Sequence, residues 1–359
     1  MKIRVAVLSG LNYPVPPIRG GGPQIVLYNT CLNITDPEID WTILADWDEG
    51  LENVDFDRKK VLALKTKWCD RFLLAVVNFL PYRIRKKIFS EVGNQDRLIL
   101  NLKIVRKLLF RKIDLIICHE SFSLAYLVHL VFPHKRIITY VHNSKLHLDF
   151  DDEMWNRYVK ASTGGMILGS YSSKHDLSTR FNVLPQRVEI IYNGIDIHKF
   201  NRHQKELYQQ ETRERFFISQ HDFVFLYCGR ITPQKNIDLI VQAFLKLNQE
   251  VANTRLVIIG SASRDLDGDL AYEQLLRELV PPSRCDRVLF TGFIPQNKLP
   301  EMYSIIDCGV LGTKLTEGLP LFILECGACG IPVIATEIGA ISEVIHPAAE
   351  GYLLSPDYS

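Results

Sequence analysis

No stretch of this 359-residue chain carries the roughly 18 uninterrupted apolar residues that a membrane-spanning helix requires. Charge of one sign is missing too. Lys and Arg number 42 against 41 Asp and Glu, a net charge near +1, so no global field draws in nucleic acid and any ionic partner must be met locally. The eight cysteines lack the paired spacing of a zinc site. Cys118, Cys228, Cys308, Cys326 and Cys329 sit in or beside apolar runs, as buried thiols of a reducing compartment do. Cys326 and Cys329 form a CxxC that no second pair or histidine cluster joins. The GxGxxG of dinucleotide binding is absent as well, because Ser9, Gly10, Leu11 and Asn12 offer one glycine after the first apolar run, and a nicotinamide enzyme loses weight. Residues 1–7 are too short an apolar run for a secretory leader and read as a first strand.

What is present is enough to fold: 47% hydrophobic, 23% charged and 10% aromatic residues exclude global disorder, and the length allows about two domains. Short β-branched runs at 3–8, 41–44, 114–118, 136–141, 166–168 and 188–191 alternate with helical patterns. A second series follows at 223–227, 256–259, 287–290, 308–311 and 332–335. Such alternation predicts an α/β chain of two Rossmann-like, doubly wound domains facing a cleft. The polar stretch 201–220 interrupts the rhythm and is expected to be a linker, with an N-terminal domain over 1–200 and a C-terminal domain over 221–359.

In such domains ligands lie beyond the carboxyl ends of the strands, so the strand-to-helix loops are where chemistry is expected. The loop 12–23 holds Pro14, Pro16 and Pro17, then Gly20, Gly21 and Gly22 at a helix entry, where bare backbone amides and the helix dipole favour a phosphate. A flexible surface loop is the competing reading. After the run 223–227 come Arg230 and Lys235 at the opening of the next helix. Two cations there oppose the macrodipole unless an anion lies between them, and a diphosphate suits both the guanidinium fork and the ammonium point charge. Solvated surface cations are the alternative. Further on, Pro320 suits a first helical turn, which leaves Glu317 in the preceding loop and sets Glu325 among apolar neighbours. A carboxylate there needs a partner, either sugar or ribose hydroxyls or a neighbouring cation. His142 closes the run 136–141 at a strand end, as a ligand-facing or a purely structural histidine.

Taken in order, these pieces resemble the retaining glycosyltransferases of family 4, which have the GT-B fold. The matching residues are Gly21 and Gly22, His142, the Asn193-Gly194-Ile195-Asp196 run with Phe200, Arg230 and Lys235 in R-x4-K spacing, Gly292, Glu317 and Glu325 in E-x7-E spacing, and Gly339 with Glu343. The resemblance covers nearly the whole chain and implies transfer of a sugar from a nucleotide donor to an acceptor hydroxyl with retention. Arg230 and Lys235 would bind the donor diphosphate, Glu325 the ribose hydroxyls, and Glu317 the donor sugar. Gly21, Gly22 and Gly292 would line the donor site and His142 would stand beside the transferred sugar. The substrate would be UDP- or GDP-linked, with no resident cofactor and no metal, the cations at 230 and 235 doing a metal's work on the leaving group. Departures exist: Pro320 replaces a frequent glycine, Gly312-Thr313-Lys314 replaces a frequent Pro-Ser, and the sequence stops at Ser359 where relatives usually continue with helices. An inactive or partner-dependent nucleotide-sugar-binding module, or a sugar synthase with a soluble acceptor, are the competing readings in the same fold.

Two further patterns bear on function. Asp-x-Asp pairs occur at Asp46 and Asp48, Asp55 and Asp57, Asp265 and Asp267, and Asp267 and Asp269, scattered over polar stretches as solvated acids. Large apolar residues interleave with cations at 71–89 and again at 106–112, the composition of an interfacial segment on an anionic membrane. The expectation is therefore a cytoplasmic enzyme, peripheral at the inner membrane face, whose acceptor is a glycan or a lipid-linked sugar of surface polysaccharide or glycolipid assembly.

Overall fold

The computed structural model describes residues 2–9, 14–65, 95–142, 151–181, 186–262, 267–315, 317–347 and 349–357. The chain divides into two compact units, Met1–Asn193 and Gly194–Ser359.

The first unit carries β1 (Ile3–Ser9), β2 (Ile39–Asp46), β3 (Val61–Leu64), β4 (Leu115–His119), β5 (Arg136–Val141), β6 (Gly165–Leu168) and β7 (Val188–Ile190), in spatial order β3-β2-β1-β4-β5-β6-β7. Every recorded pairing in it is parallel. Alternation along β1 splits the core in two: Val5 and Val7 pack with Leu27, Trp41 and Ile43, while Ala6 and Leu8 pack with Leu100, Ile104, Phe122 and Trp155. A sheet buried on both faces explains why its strands read as near-continuous apolar runs. β3 is the strand the sequence pattern did not announce, since its four residues Val-Leu-Ala-Leu are too short to show a period.

The second unit carries β8 (Phe223–Cys228), β9 (Thr254–Ile259), β10 (Val288–Gly292), β11 (Cys308–Leu311), β12 (Val333–Thr336) and β13 (Gly351–Leu354), in spatial order β10-β9-β8-β11-β12-β13. These pairings are also parallel, and one large core built on Val224, Leu226, Leu256, Ile258 and Val333 holds the unit together.

The expected linker over 201–220 is corrected here. It contains the helix His203–Arg215, and the unit boundary falls earlier, between Asn193 and Gly194. The helix is polar yet anchored. Arg213 is buried and donates from Nη1 to the Ser219 carbonyl at 2.6 Å and from Nη2 to the Ile305 carbonyl at 3.2 Å. A helix held by hydrogen bonds instead of an apolar stripe leaves no hydrophobic period in the sequence.

Candidate active site

At the carboxyl edge of the second sheet, three neighbouring strands each end at or next to a glycine: Gly229 after β8, Gly260 after β9 and Gly292 closing β10. The backbones nearly touch. Gly229 N–H donates to the Ile259 carbonyl at 3.0 Å and Gly260 N–H to the Gly292 carbonyl at 2.9 Å. A Cβ on Gly260, whose φ is 137°, would lie 1.9 Å from the Gly229 carbonyl oxygen, so only glycine fits. Gly292 has φ 71° and open space around its α-carbon. The result is an edge of bare backbone on which a ligand can come close.

Arg230 leaves this edge with its carbonyl held by the Tyr227 hydroxyl at 2.7 Å. Its side chain is exposed, and among the described residues the guanidinium has no hydrogen-bond or ion-pair partner. Pro233–Lys235 then forms a single tight turn, Asn236 takes the left-handed φ of 54°, and the helix Ile237–Glu250 begins. Lys235 differs from Arg230: its Nζ lies 2.7 Å from Glu317 Oε1, both side chains being largely buried. Thr313 Oγ1 is 3.0 Å from the same carboxylate oxygen, and Lys314 N–H donates to the Gln234 carbonyl at 3.0 Å, so the loop after β11 is stitched to the lysine turn. Gly339, with φ 63°, backs this arrangement. A Cβ there would meet the Glu317 carbonyl oxygen at 2.3 Å, and Ala340 N–H reaches that oxygen at 3.3 Å.

Glu325 lies in the helix Leu321–Cys329 and is buried. Its partner in the protein is neither a lysine nor an arginine: the Tyr303 hydroxyl donates to Oε2 at 2.6 Å. Burial pushes the carboxyl up to about 7, and the tyrosine's donation opposes that rise only in part. A carboxylate with one oxygen held from within the core is oriented for hydroxyl donors at the other.

In the first unit, Gly20 (φ 76°) and Gly21 (φ 95°) turn the chain into the helix Gly22–Leu32. No side chain caps the start of that helix, Pro23 stands in its first turn, and a Cβ on Gly22 would meet nothing, so the first N–H groups are open to an anion. His142 follows β5 and is 5% exposed. Its Nε2 is 2.9 Å from His119 Nδ1, its Nδ1 is 3.3 Å from Asn193 Oδ1, and its backbone N–H donates to Glu120 Oε1 at 3.0 Å. The Tyr140 ring stacks on it at 4.0 Å. Burial holds the imidazole down to about 4, so it is neutral near pH 7.

The structure thus brings together Lys235 with Glu317, sets Arg230 three residues beyond the buried Tyr227 on the same strand exit, and places Glu325 on Tyr303. Gly21, Gly22 and His142 belong to the other unit. Of the acids in Asp-x-Asp spacing, Asp48 Oδ1 accepts from Gly50 N–H at 2.9 Å and its Oδ2 pairs with Arg19 at 2.7 Å, and Asp57 Oδ1 accepts from Lys59 N–H at 2.8 Å. Both shape turns. Among the described residues no group of three His, Cys, Asp or Glu side chains is placed to hold a metal ion. The basic and apolar segment 71–89 lies outside the described residues. Sequence reasoning missed His119, Gly260, Thr313 and Tyr303. Gly260 and His119 sat in plain positions, each next to the end of an apolar run, whereas Tyr303 and Thr313 carry no local signal.

Two parallel-sheet units with their polar groups gathered at strand ends define an α/β protein of the doubly wound kind. Residues 21–199 match the Glycosyltransferase Family 4 model and residues 208–359 match Glycosyl transferases group 1, and the chain belongs to the family 4 glycosyltransferases of GT-B fold. It is similar to Lipopolysaccharide 1,2-N-acetylglucosaminetransferase of Salmonella typhimurium, at 23% identity over 77% of this chain and 69% of that one. Similarity extends to UDP-Gal:alpha-D-GlcNAc-diphosphoundecaprenol alpha-1,3-galactosyltransferase of Escherichia coli, at 27% identity over 47% of this chain and 42% of that one. Other curated relatives are matched over about half of their own length. In fold the chain resembles Anabaena HepE in complex with UDP, with a TM-score of 0.71 at 19% identity over 100% of this chain and 87% of that one. Sucrose-phosphate synthase of Thermosynechococcus elongatus gives 0.74 at 17% identity over 99% and 87%.

Proposed function

We propose that this chain transfers a sugar from a UDP- or GDP-linked donor to an acceptor hydroxyl with retention, without a metal, and that its acceptor is a membrane-borne glycan or lipid-linked sugar. The observation that carries the donor reading is the strand-end cluster of the second unit. An unpartnered Arg230, a lysine tied to Glu317 and a buried Glu325 stand on one edge whose backbone is bare at Gly229, Gly260 and Gly292. A diphosphate takes the free guanidinium and the lysine, so the charge that develops on the leaving nucleotide meets preset cations. Glu325, its Oε2 held by Tyr303, accepts from ribose hydroxyls, and Glu317 reaches the donor sugar from beside Lys235. Retention follows from the family resemblance.

Support for a membrane acceptor comes from the names of relatives, one acting on a diphosphoundecaprenol-linked sugar and one on lipopolysaccharide. The exposed Leu109 and Phe110 among Arg106, Lys107, Arg111 and Lys112 add to it. The test is nucleoside diphosphate release from a panel of UDP- and GDP-sugars with glycan and lipid-linked acceptors, with the product anomer read by NMR. Transfer with retention that survives EDTA is the expected result. Chelation that abolishes transfer, restored by a divalent ion, would move the leaving-group role from Arg230 and Lys235 to a metal.

A further inference from the structure

Glu325 is 4% exposed, and among the described residues no lysine or arginine pairs with its carboxylate. A buried carboxyl without a cation is driven toward its neutral form, and only a donor that bonds the ionised form opposes the drive. Tyr303, the buried last residue of the short helix Leu299–Tyr303, is that donor, its hydroxyl reaching Oε2 at 2.6 Å. Oε1 has no hydrogen-bond partner among the described residues. The protein's support for the charge therefore comes from one phenol.

The other groups facing Glu325 are thiols: Cys228 at the end of β8, and Cys326 and Cys329 on its own helix. Burial pushes Cys228 and Cys326 well up and Cys329 up to about 12, and burial beside the Glu325 carboxylate pushes the Tyr303 phenol well up. All four keep their protons near pH 7. The Cys228 thiol also lies against the Tyr303 hydroxyl, but a protonated thiol is a weak acceptor and the phenol proton goes to the carboxylate. Fixed charges lie off the two ends of the helix: Lys235 pairs with Glu317 in the loop before it, and Arg202 rests against Gly330 after it. Glu325 is thus the member of this cluster whose charge changes near pH 7.

We propose that Tyr303 is a positioning residue for the nucleotide: its hydroxyl keeps Glu325 ionised, with Oε2 held and Oε1 left for the ribose hydroxyls. This rests on the reading of Glu325 as the ribose acceptor, whereas the ionisation is a property of the protein without nucleotide. Tyr303 acts through Glu325 and sets the pH above which the carboxylate is there to accept.

The experiment compares the wild type with Tyr303→Phe, which keeps the ring against Phe200 and Phe322 and removes only the hydroxyl. Carbon NMR of the side-chain carboxyls, taken without nucleotide, should show the Glu325 midpoint moving up by about one pH unit, the worth of one hydrogen bond to a charged group. Affinity for UDP and GDP by calorimetry, taken as the ratio of the two proteins so that the phosphates' own titration cancels, should fall about fivefold near pH 7 and return to within about twofold near pH 9. In a Glu325→Gln background the same change should alter affinity less than about twofold at any pH. An unmoved carboxyl midpoint overturns the proposal. So does a loss of equal size at every pH, which a packing defect would give, or a larger effect in the Glu325→Gln background. If the midpoint moves while the wild type and Glu325→Gln bind UDP and GDP alike across the range, it is the ribose reading that fails, and the proposal falls with it.

Discussion

Lys235 and Arg230 look alike in the sequence and differ in the fold. Arg230 is exposed and free of partners among the described residues, so Arg230→Ala should leave the fold intact and weaken nucleoside diphosphate binding ten- to a hundredfold, about the worth of one charge-assisted contact. Lys235 is bound to Glu317 at 2.7 Å, so removing either partner leaves a half-buried charge unpaired. In a double-mutant cycle by thermal unfolding, Lys235→Met and Glu317→Gln should each destabilise, and together cost less than their sum by about 1 kcal/mol. Ligand affinity should separate them: Lys235→Met weakens nucleoside diphosphate binding, whereas Glu317→Gln slows transfer and spares that binding. Equal loss of affinity in both would undo the division of roles. Glu325 offers a test by pH. Burial raises its carboxyl to about 7, above its ordinary range, so the protonated form is favoured in the fold; this contribution to stability is present in acid and is lost as pH rises to about 7. Ribose hydroxyls want the ionised form, so nucleoside diphosphate affinity should climb as pH rises from about 6 to about 8. Glu325→Gln keeps the phosphates' own titration and should flatten the remainder. Parallel curves for the two proteins would show that the Glu325 carboxylate does not meet the ribose.

At the scale of elements, the strand runs were legible because a parallel sheet covered on both faces demands apolar residues at consecutive positions, and that demand is written locally. The expected runs at 136–141 and 308–311 match β5 and β11 residue for residue. What lies between strands was less legible in proportion to how far its stabilising contacts reach. The helix His203–Arg215 passed for a linker because Arg213 holds it through carbonyls of Ser219, Asp222 and Ile305, the last of them distant in sequence. Lys235 stands at the opening of a helix in the sequence pattern, yet a left-handed Asn236 divides a separate turn, Pro233–Lys235, from that helix, and Lys235 pairs with Glu317. The candidate site divides the same way. Motif spacing brought out Arg230, Lys235 and Glu317, each on the exit or entry of an element, and Glu325 inside the helix Leu321–Cys329. Tyr303 and Thr313 act by touching Glu325 and Glu317 from other elements, and only the packed sheet reveals contacts of that kind. Gly260 is the exception, since the glycine directly after the run 256–259 carried the same mark as Gly292 and could have been found.

At the scale of the whole molecule, a net charge near +1 leaves any membrane attraction to a local patch, and the described residues contain one. The helix Gln95–Leu109 ends with Arg106 and Lys107 in its last turn, where cations suit the helix dipole, and Arg111 and Lys112 follow directly. Leu108 is buried and pins the helix end to the core, while Leu109 and Phe110 stand 56% and 82% exposed among the four cations. Among the described residues no helix is long and apolar enough to cross a membrane. Four cations near an anionic surface contribute about 1 kcal/mol each, enough for reversible binding that salt screens, and an inserted phenylalanine adds an apolar part that salt does not touch. Vesicles rich in anionic lipid should therefore pellet the protein at low salt and release it as salt rises. Reversing Arg106, Lys107, Arg111 and Lys112 to Glu should abolish pelleting with circular dichroism unchanged, and Phe110→Ser should weaken it without flattening the salt dependence. If the wild type stays in the supernatant with those vesicles at low salt, the acceptor reaches this enzyme in solution, and the exposed Phe110 must be explained by something other than a lipid surface.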